Sequence, residues 1–168
     1  MPLKYRLLGN RSDVRFVTWL RDPVERLASN YCHWKSAEKA EHAWPLWQKC
    51  LDEQWSLERF CFCPELQDIY SQFLWGFPLH RFAFIGITEH FSEDLAFFSN
   101  TFLGAPAAEY HANVGSEAGR PTYVTDRELR RAIESFHKRD VALYRRAVEM
   151  RRSRLLQTSP EEKEPVMR

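Results

Sequence analysis

An α/β fold built on a parallel sheet is what this sequence predicts. Two short apolar runs, at residues 14–20 and 81–87, suit strands covered on both faces. Each is followed by segments of helical periodicity, and the order strand, helix, helix, strand, helix suits a sheet layered between helices.

The first run is β-branched and aromatic and stops at Arg21-Asp22-Pro23. A helix is expected to begin there, because Asp22 suits the N-cap and Pro23 the first helical position, and to continue to about Glu38. Residues 39–57 mix Trp44, Trp47 and Trp55 with Pro45 and charges and predict an irregular or short-helical insertion. From Pro64 to Trp75 apolar residues recur at helical intervals, with Gly76 as the stop. After the second strand, Ser92 is expected to cap a helix carrying Leu95, Phe98 and Phe102 and closed by Gly104-Ala105-Pro106. Residues 105–124 read as loop. Thr125-Asp126-Arg127-Glu128 fits a capping box opening one long final helix, whose apolar stripe includes Leu129, Ile133, Phe136, Leu143, Ala147 and Met150. Its other face is expected to be strongly basic, from Arg127 and Arg130 through Arg151, Arg152 and Arg154. One domain over residues 1–156 and a disordered tail over 157–168 are expected.

Bulk numbers narrow the function classes. With 168 residues, 44% hydrophobic, 28% charged and a formal net charge of +1, the chain reads as an ordinary globular domain. The near-neutral charge argues against a nucleic-acid partner, and the final helix reads as packed with a solvated basic face. No apolar run approaches the roughly 18 residues of a membrane span. Cys32, Cys50, Cys61 and Cys63 are too few and irregular for a disulfide framework, and Cys61-x-Cys63 lacks the second ligand pair that tetrahedral zinc needs. A cytoplasmic setting is expected, with the Golgi lumen as the other option for a longer parent protein.

The chemistry concentrates at residues 18–31. Arg21 ends a buried strand beside the start of a helix, where free N–H groups and the helix dipole favour an anion. Arg21 can hold two phosphate oxygens with its planar fork. Arg26, Ser29, Asn30 and His33 share one helical face by their i, i+3, i+4, i+7 spacing, so Ser29 can add a hydroxyl donor. A purely structural strand-to-helix joint accounts for the same residues, and both readings stand on spacing alone.

The pattern Leu-Arg-Asp-Pro-Val-Glu-Arg-x-x-Ser-x-Tyr at residues 20–31 resembles the 3′-phosphate-binding motif of sulfotransferases that use 3′-phosphoadenosine 5′-phosphosulfate (PAPS). It is most similar to the carbohydrate-modifying branch that includes the hexuronic acid 2-O-sulfotransferases. Gln72 to Gly76 and Phe84 to Phe91 resemble that family's Cys-Gly or Ser-Gly segment and its Val-Gly-Val-Thr-Glu strand. Asn113-Val114-Gly115-Ser116 and Asp140-Val141-Ala142-Leu143-Tyr144 resemble its closing Asn-x-Ser loop and Asp-x-x-Leu-Tyr helix. The resemblance implies a partial P-loop-type three-layer fold, PAPS as cosubstrate, Arg21 and Ser29 on the 3′-phosphate, Arg120 as a further phosphate contact, and transfer of a sulfuryl group to a hydroxyl or amine, with carbohydrate the expected acceptor.

Members of that family carry a Gly-rich 5′-phosphosulfate loop, and a His or Glu base, well before this motif. Only residues 1–20 precede Arg21, which leads to the expectation of a fragment of a longer enzyme or a degenerate copy. Later substitutes for the base are weak: His33 is expected to be structural or superficial, and Glu89 to satisfy backbone or Arg partners. The alternative to an enzyme is a catalytically incomplete nucleotide-binding or scaffold pseudoenzyme.

Overall fold

The computed structural model describes residues 13–36, 44–108 and 123–158. Strands β1 (Phe16–Leu20) and β2 (Phe82–Ile87) pair in parallel, with Thr18 opposite Ile85 and Leu20 opposite Ile87. A parallel pair requires a crossover. Here it contains α1 (Pro23–Ser36), α2 (Pro45–Asp52), α3 (Leu57–Cys61), a 3-10 turn (Pro64–Leu66) and α4 (Ile69–Phe73). After β2 come α5 (Phe91–Phe98), which runs on into a π-helical turn (Ser99–Leu103), then α6 (Arg127–Phe136) and α7 (Lys138–Thr158). The architecture is mixed α/β, mostly helical, with one small parallel sheet among the described residues.

Both faces of the sheet are covered, as its apolar strands require. Side chains alternate along a strand, so Leu20, Ile85 and Ile87 share one face, where Leu143 and Ala147 of α7 pack on them. Trp19 and Phe84 take the other face, 5.1 Å apart by ring centroid, with Phe98 at the end of α5 about equally close to each. Gly86 stands opposite Trp19 in the register, and an added Cβ there would lie 2.3 Å from the indole Nε1. Only a residue without a side chain lets this indole lie on the strand. A second apolar cluster joins Val24, Leu27 and Trp34 of α1 to Leu46 and Cys50 of α2, Phe60 and Cys61 of α3, and Ile133 of α6.

Several boundaries differ from the sequence-based expectation, each for a local reason. The segment 64–75 is a 3-10 turn and a short helix, broken where Asp68 takes the left-handed conformation at φ 51°. The long final helix is two helices, because His137 leaves helical geometry between them. His137 is fully buried: its Nδ1 accepts the Asp68 N–H at 3.3 Å and its Nε2 donates to the Cys61 carbonyl at 2.7 Å. Asp68 Oδ1 then accepts the N–H groups of Arg139 and Asp140 at the start of α7, and the Asp140 carboxylate accepts those of Tyr70 and Ser71 at the start of α4. Two helix starts thus cap each other across the core.

The cap of α6 is Asp126, which accepts from Glu128 and Leu129, rather than a capping box opened by Thr125. Ser92 lies inside α5, which begins at Phe91. Residues 157 and 158 belong to α7 rather than to a tail. The basic face is not solvated throughout: Arg130, Arg151 and Arg154 turn inward onto carboxylates. Arg151 and Arg154 meet Asp94, which also accepts the Ile87 N–H, while Arg154 donates to the Ile85 carbonyl. These bonds close the outer edge of β2 with side chains.

Candidate oxyanion site

At the carboxyl ends of the strands, Arg21 follows β1 and α1 starts two residues later. Asp22 caps α1 as its residue type predicts, its Oδ1 accepting from Val24 at 2.9 Å and Glu25 at 3.1 Å. Glu89, just beyond β2, accepts the Asp22 N–H at 2.9 Å. The expectation that free N–H groups would greet an anion is therefore corrected: carboxylates of the chain already hold them. Arg130 from α6 offsets this negative charge, reaching Asp22 at 2.6 Å and Glu25 at 2.7 Å. Glu25 also accepts the Tyr123 N–H at 2.7 Å, tying the segment before α6 to the first turn of α1.

What remains open to a ligand is side-chain chemistry. The Arg21 guanidinium lies 5.5 Å over the Tyr123 ring, and its backbone N–H donates to the Tyr70 hydroxyl at 3.2 Å. Arg21 is half-buried, yet its guanidinium has no hydrogen bond or ion pair among the described residues. Arg26, Arg130, Arg151 and Arg154 are the other partly or wholly buried arginines described, and each reaches a carboxylate. A desolvated cation normally finds such a partner. Ser29 sits two turns into α1, half-buried, its hydroxyl likewise unbonded among the described residues. Two others of that face have contacts elsewhere. Arg26 stacks 4.5 Å over Tyr70 and reaches Asp140 at 3.5 Å, and His33 is exposed, with its ring 5.9 Å from Trp47.

Glu89 accepts on both oxygens, from the Asp22 N–H and, at 2.9 Å, from the Tyr144 hydroxyl. Burial and the adjoining Glu89 carboxylate hold the Tyr144 phenol protonated well above its usual range. Thus the Asp-x-x-Leu-Tyr pattern is structural at both ends, Asp140 capping α4 and Tyr144 binding Glu89. Trp34 and Trp47 stack at 5.7 Å, Trp44 meets Trp34 edge-on, and Trp55 is buried, so these rings serve packing. Burial pushes the Cys61 thiol up to about 12 and Cys63 to about 11, and Cys63 donates to Glu65. Both stay protonated near neutral pH. Among the described residues no helix is long and apolar enough to cross a membrane.

Arg120 and the Asn113 to Ser116 loop lie outside the described residues. Sequence reasoning missed Tyr70 and Tyr123 as neighbours of Arg21, and Arg130 as the partner of Asp22 and Glu25. Tyr70 was hidden in an apolar helical stripe, and nothing local to Tyr123 or Arg130 pointed to residues 98 to 108 positions earlier in the chain. Comparison with protein-family models, curated proteins and solved structures finds no match to this chain.

Proposed function

We propose that the chain is a PAPS-dependent sulfotransferase domain of partial P-loop type, and that Arg21 and Ser29 grip the 3′-phosphate of the cofactor. One observation carries the reading: among the described residues, Arg21 is the half-buried arginine that meets no carboxylate, at the carboxyl end of a parallel strand and steadied by Tyr123. In α/β proteins ligands lodge at that end of the sheet, and a guanidinium held there matches two phosphate oxygens. The motif resemblance at residues 20–31 supplies the nucleotide and sulfuryl transfer to a hydroxyl or amine, with carbohydrate as acceptor class; the resemblance of Gly119-Arg120-Pro121-Thr122 to the family's basic loop supplies Arg120 as a further contact. Arg21 and Ser29 would hold and orient the cofactor by its 3′-phosphate, and the cofactor would supply the sulfuryl group from its 5′ end.

Isothermal calorimetry with adenosine 3′,5′-bisphosphate tests the grip. Arg21→Ala or Ser29→Ala should weaken binding by about 1 to 3 kcal/mol, the scale of a lost charge-assisted bond. Unchanged affinity in both variants refutes the assignment.

A second reading, a nucleotide-binding or scaffold pseudoenzyme, draws its weight from the state of the candidate bases. Glu89 is occupied on both oxygens and His33 packs on Trp47. Supplying PAPS with a panel of sugar acceptors separates the two, because the pseudoenzyme binds without turnover.

A further inference from the structure

Tyr70 stands closer to Arg21 than any motif suggests. Its hydroxyl oxygen accepts the Arg21 N–H at 3.2 Å, leaving its own proton without an acceptor among the described residues. A phenol carries one donor and accepts as well, so this proton is available to a ligand at Arg21. The ring is held from two further directions. Arg26 lies 4.5 Å over its face, and the Tyr70 N–H is bound by Asp140 at 2.9 Å. Asp140 is itself fully buried and also takes the Ser71 N–H, so the start of α4, which carries the ring, is pinned to α7. The hydroxyl is therefore presented in advance, and a preorganised donor costs little entropy when an anion arrives.

We propose that Tyr70 is a third member of the oxyanion pocket, donating its hydroxyl proton to the phosphate that Arg21 and Ser29 bind while its oxygen anchors the Arg21 backbone. The inference rests on the phosphate-site reading and adds to it a residue from the crossover, 49 positions beyond Arg21. It also gives Arg26 a purpose on the ligand side of α1: it positions Tyr70 and does not touch the anion. Burial raises the Tyr70 pKa, so the phenol keeps its proton at neutral pH.

The test compares wild type, Tyr70→Phe and Arg21→Ala for binding of adenosine 3′,5′-bisphosphate and of adenosine 5′-monophosphate, which lacks the 3′-phosphate. Urea unfolding of each variant runs alongside. Tyr70→Phe keeps the ring under Arg26 and removes only the hydroxyl. It should weaken the bisphosphate about tenfold, leave the monophosphate within twofold, and so narrow the ratio between them. A merely structural hydroxyl would lower stability or weaken both nucleotides alike, and either result without a change in ratio overturns the proposal. If wild type itself shows no preference for the bisphosphate, or if Arg21→Ala leaves that preference intact, the phosphate-site reading falls. If Arg21→Ala abolishes the preference and Tyr70→Phe does not reduce it, the role of Tyr70 alone falls.

Discussion

Replacing Asp94 tests how the small sheet is sealed. This carboxylate, 1% exposed, accepts the Ile87 N–H at 2.7 Å and the guanidinium groups of Arg151 and Arg154 at 2.9 Å each. Asp94→Ala leaves a strand N–H unbonded and removes a counter-charge from two arginines whose side chains are 8% and 19% exposed. Breaking a buried ion pair from one side costs about 3 to 5 kcal/mol. Two contacts soften the loss: Glu93 still reaches Arg151, and the Ile85 carbonyl still holds Arg154. The lower half of the range, about 3 to 4 kcal/mol, is therefore expected. At roughly 2 to 4 °C per kcal/mol for a chain of this size, the melting temperature should fall by roughly 6 to 16 °C. Urea unfolding at neutral pH reads the free energy, with Glu149→Ala as the control. Glu149 pairs with Arg146 at 3.1 Å where both side chains are about two-thirds exposed, and such pairs contribute at most about 1 kcal/mol. If Asp94→Ala costs no more than the control, the edge of β2 is not held by this cluster and the argument for a side-chain seal is wrong.

Other outcomes follow from the same geometry. Gly86→Ala places a methyl group inside the Trp19 indole and should cost about 1 to 3 kcal/mol with a changed near-ultraviolet aromatic signal; an unaltered signal and stability would refute the close approach. His137 is buried as the neutral imidazole, and burial, with the nearby Arg26 charge, holds its pKa below the usual histidine value. Its contribution is therefore complete above the unfolded pKa of about 6.5 and is lost as pH falls from there through the folded value. Between pH 7 and 5 the stability of His137→Gln should fall less steeply than that of wild type, and equal slopes would refute the assignment. Weaker bisphosphate binding by Arg21→Ala and Ser29→Ala, and a narrowed nucleotide ratio in Tyr70→Phe, complete the set.

Local chemistry made part of this protein legible before any coordinates. Strand runs of apolar residues, the Asp22 cap with Pro23 behind it, and the glycine stop at Gly104, where φ is 67°, each depend on neighbours a few residues away. Where the partners were distant, the pattern misled. The stripe through residues 127–150 has one helical period, yet His137 interrupts it because its ring is claimed by Asp68 and Cys61, 69 and 76 positions back. The polar face of α1 is legible by its spacing, but Arg26 leaves it for Tyr70 and Asp140.

By itself, then, the sequence determined which stretches favour strand or helix and that Arg21 ends a strand, since those depend on backbone sterics, capping and side-chain period; the breaks at Asp68 and His137 came from the tertiary structure. Tertiary structure alone decided which charges are neutralised. Ion pairing is settled by groups brought together from opposite ends of the chain, and it placed Arg130 on Asp22 and Glu25, gave Asp94 to Arg151 and Arg154, and left the Arg21 guanidinium beside Tyr123 with no carboxylate among the described residues.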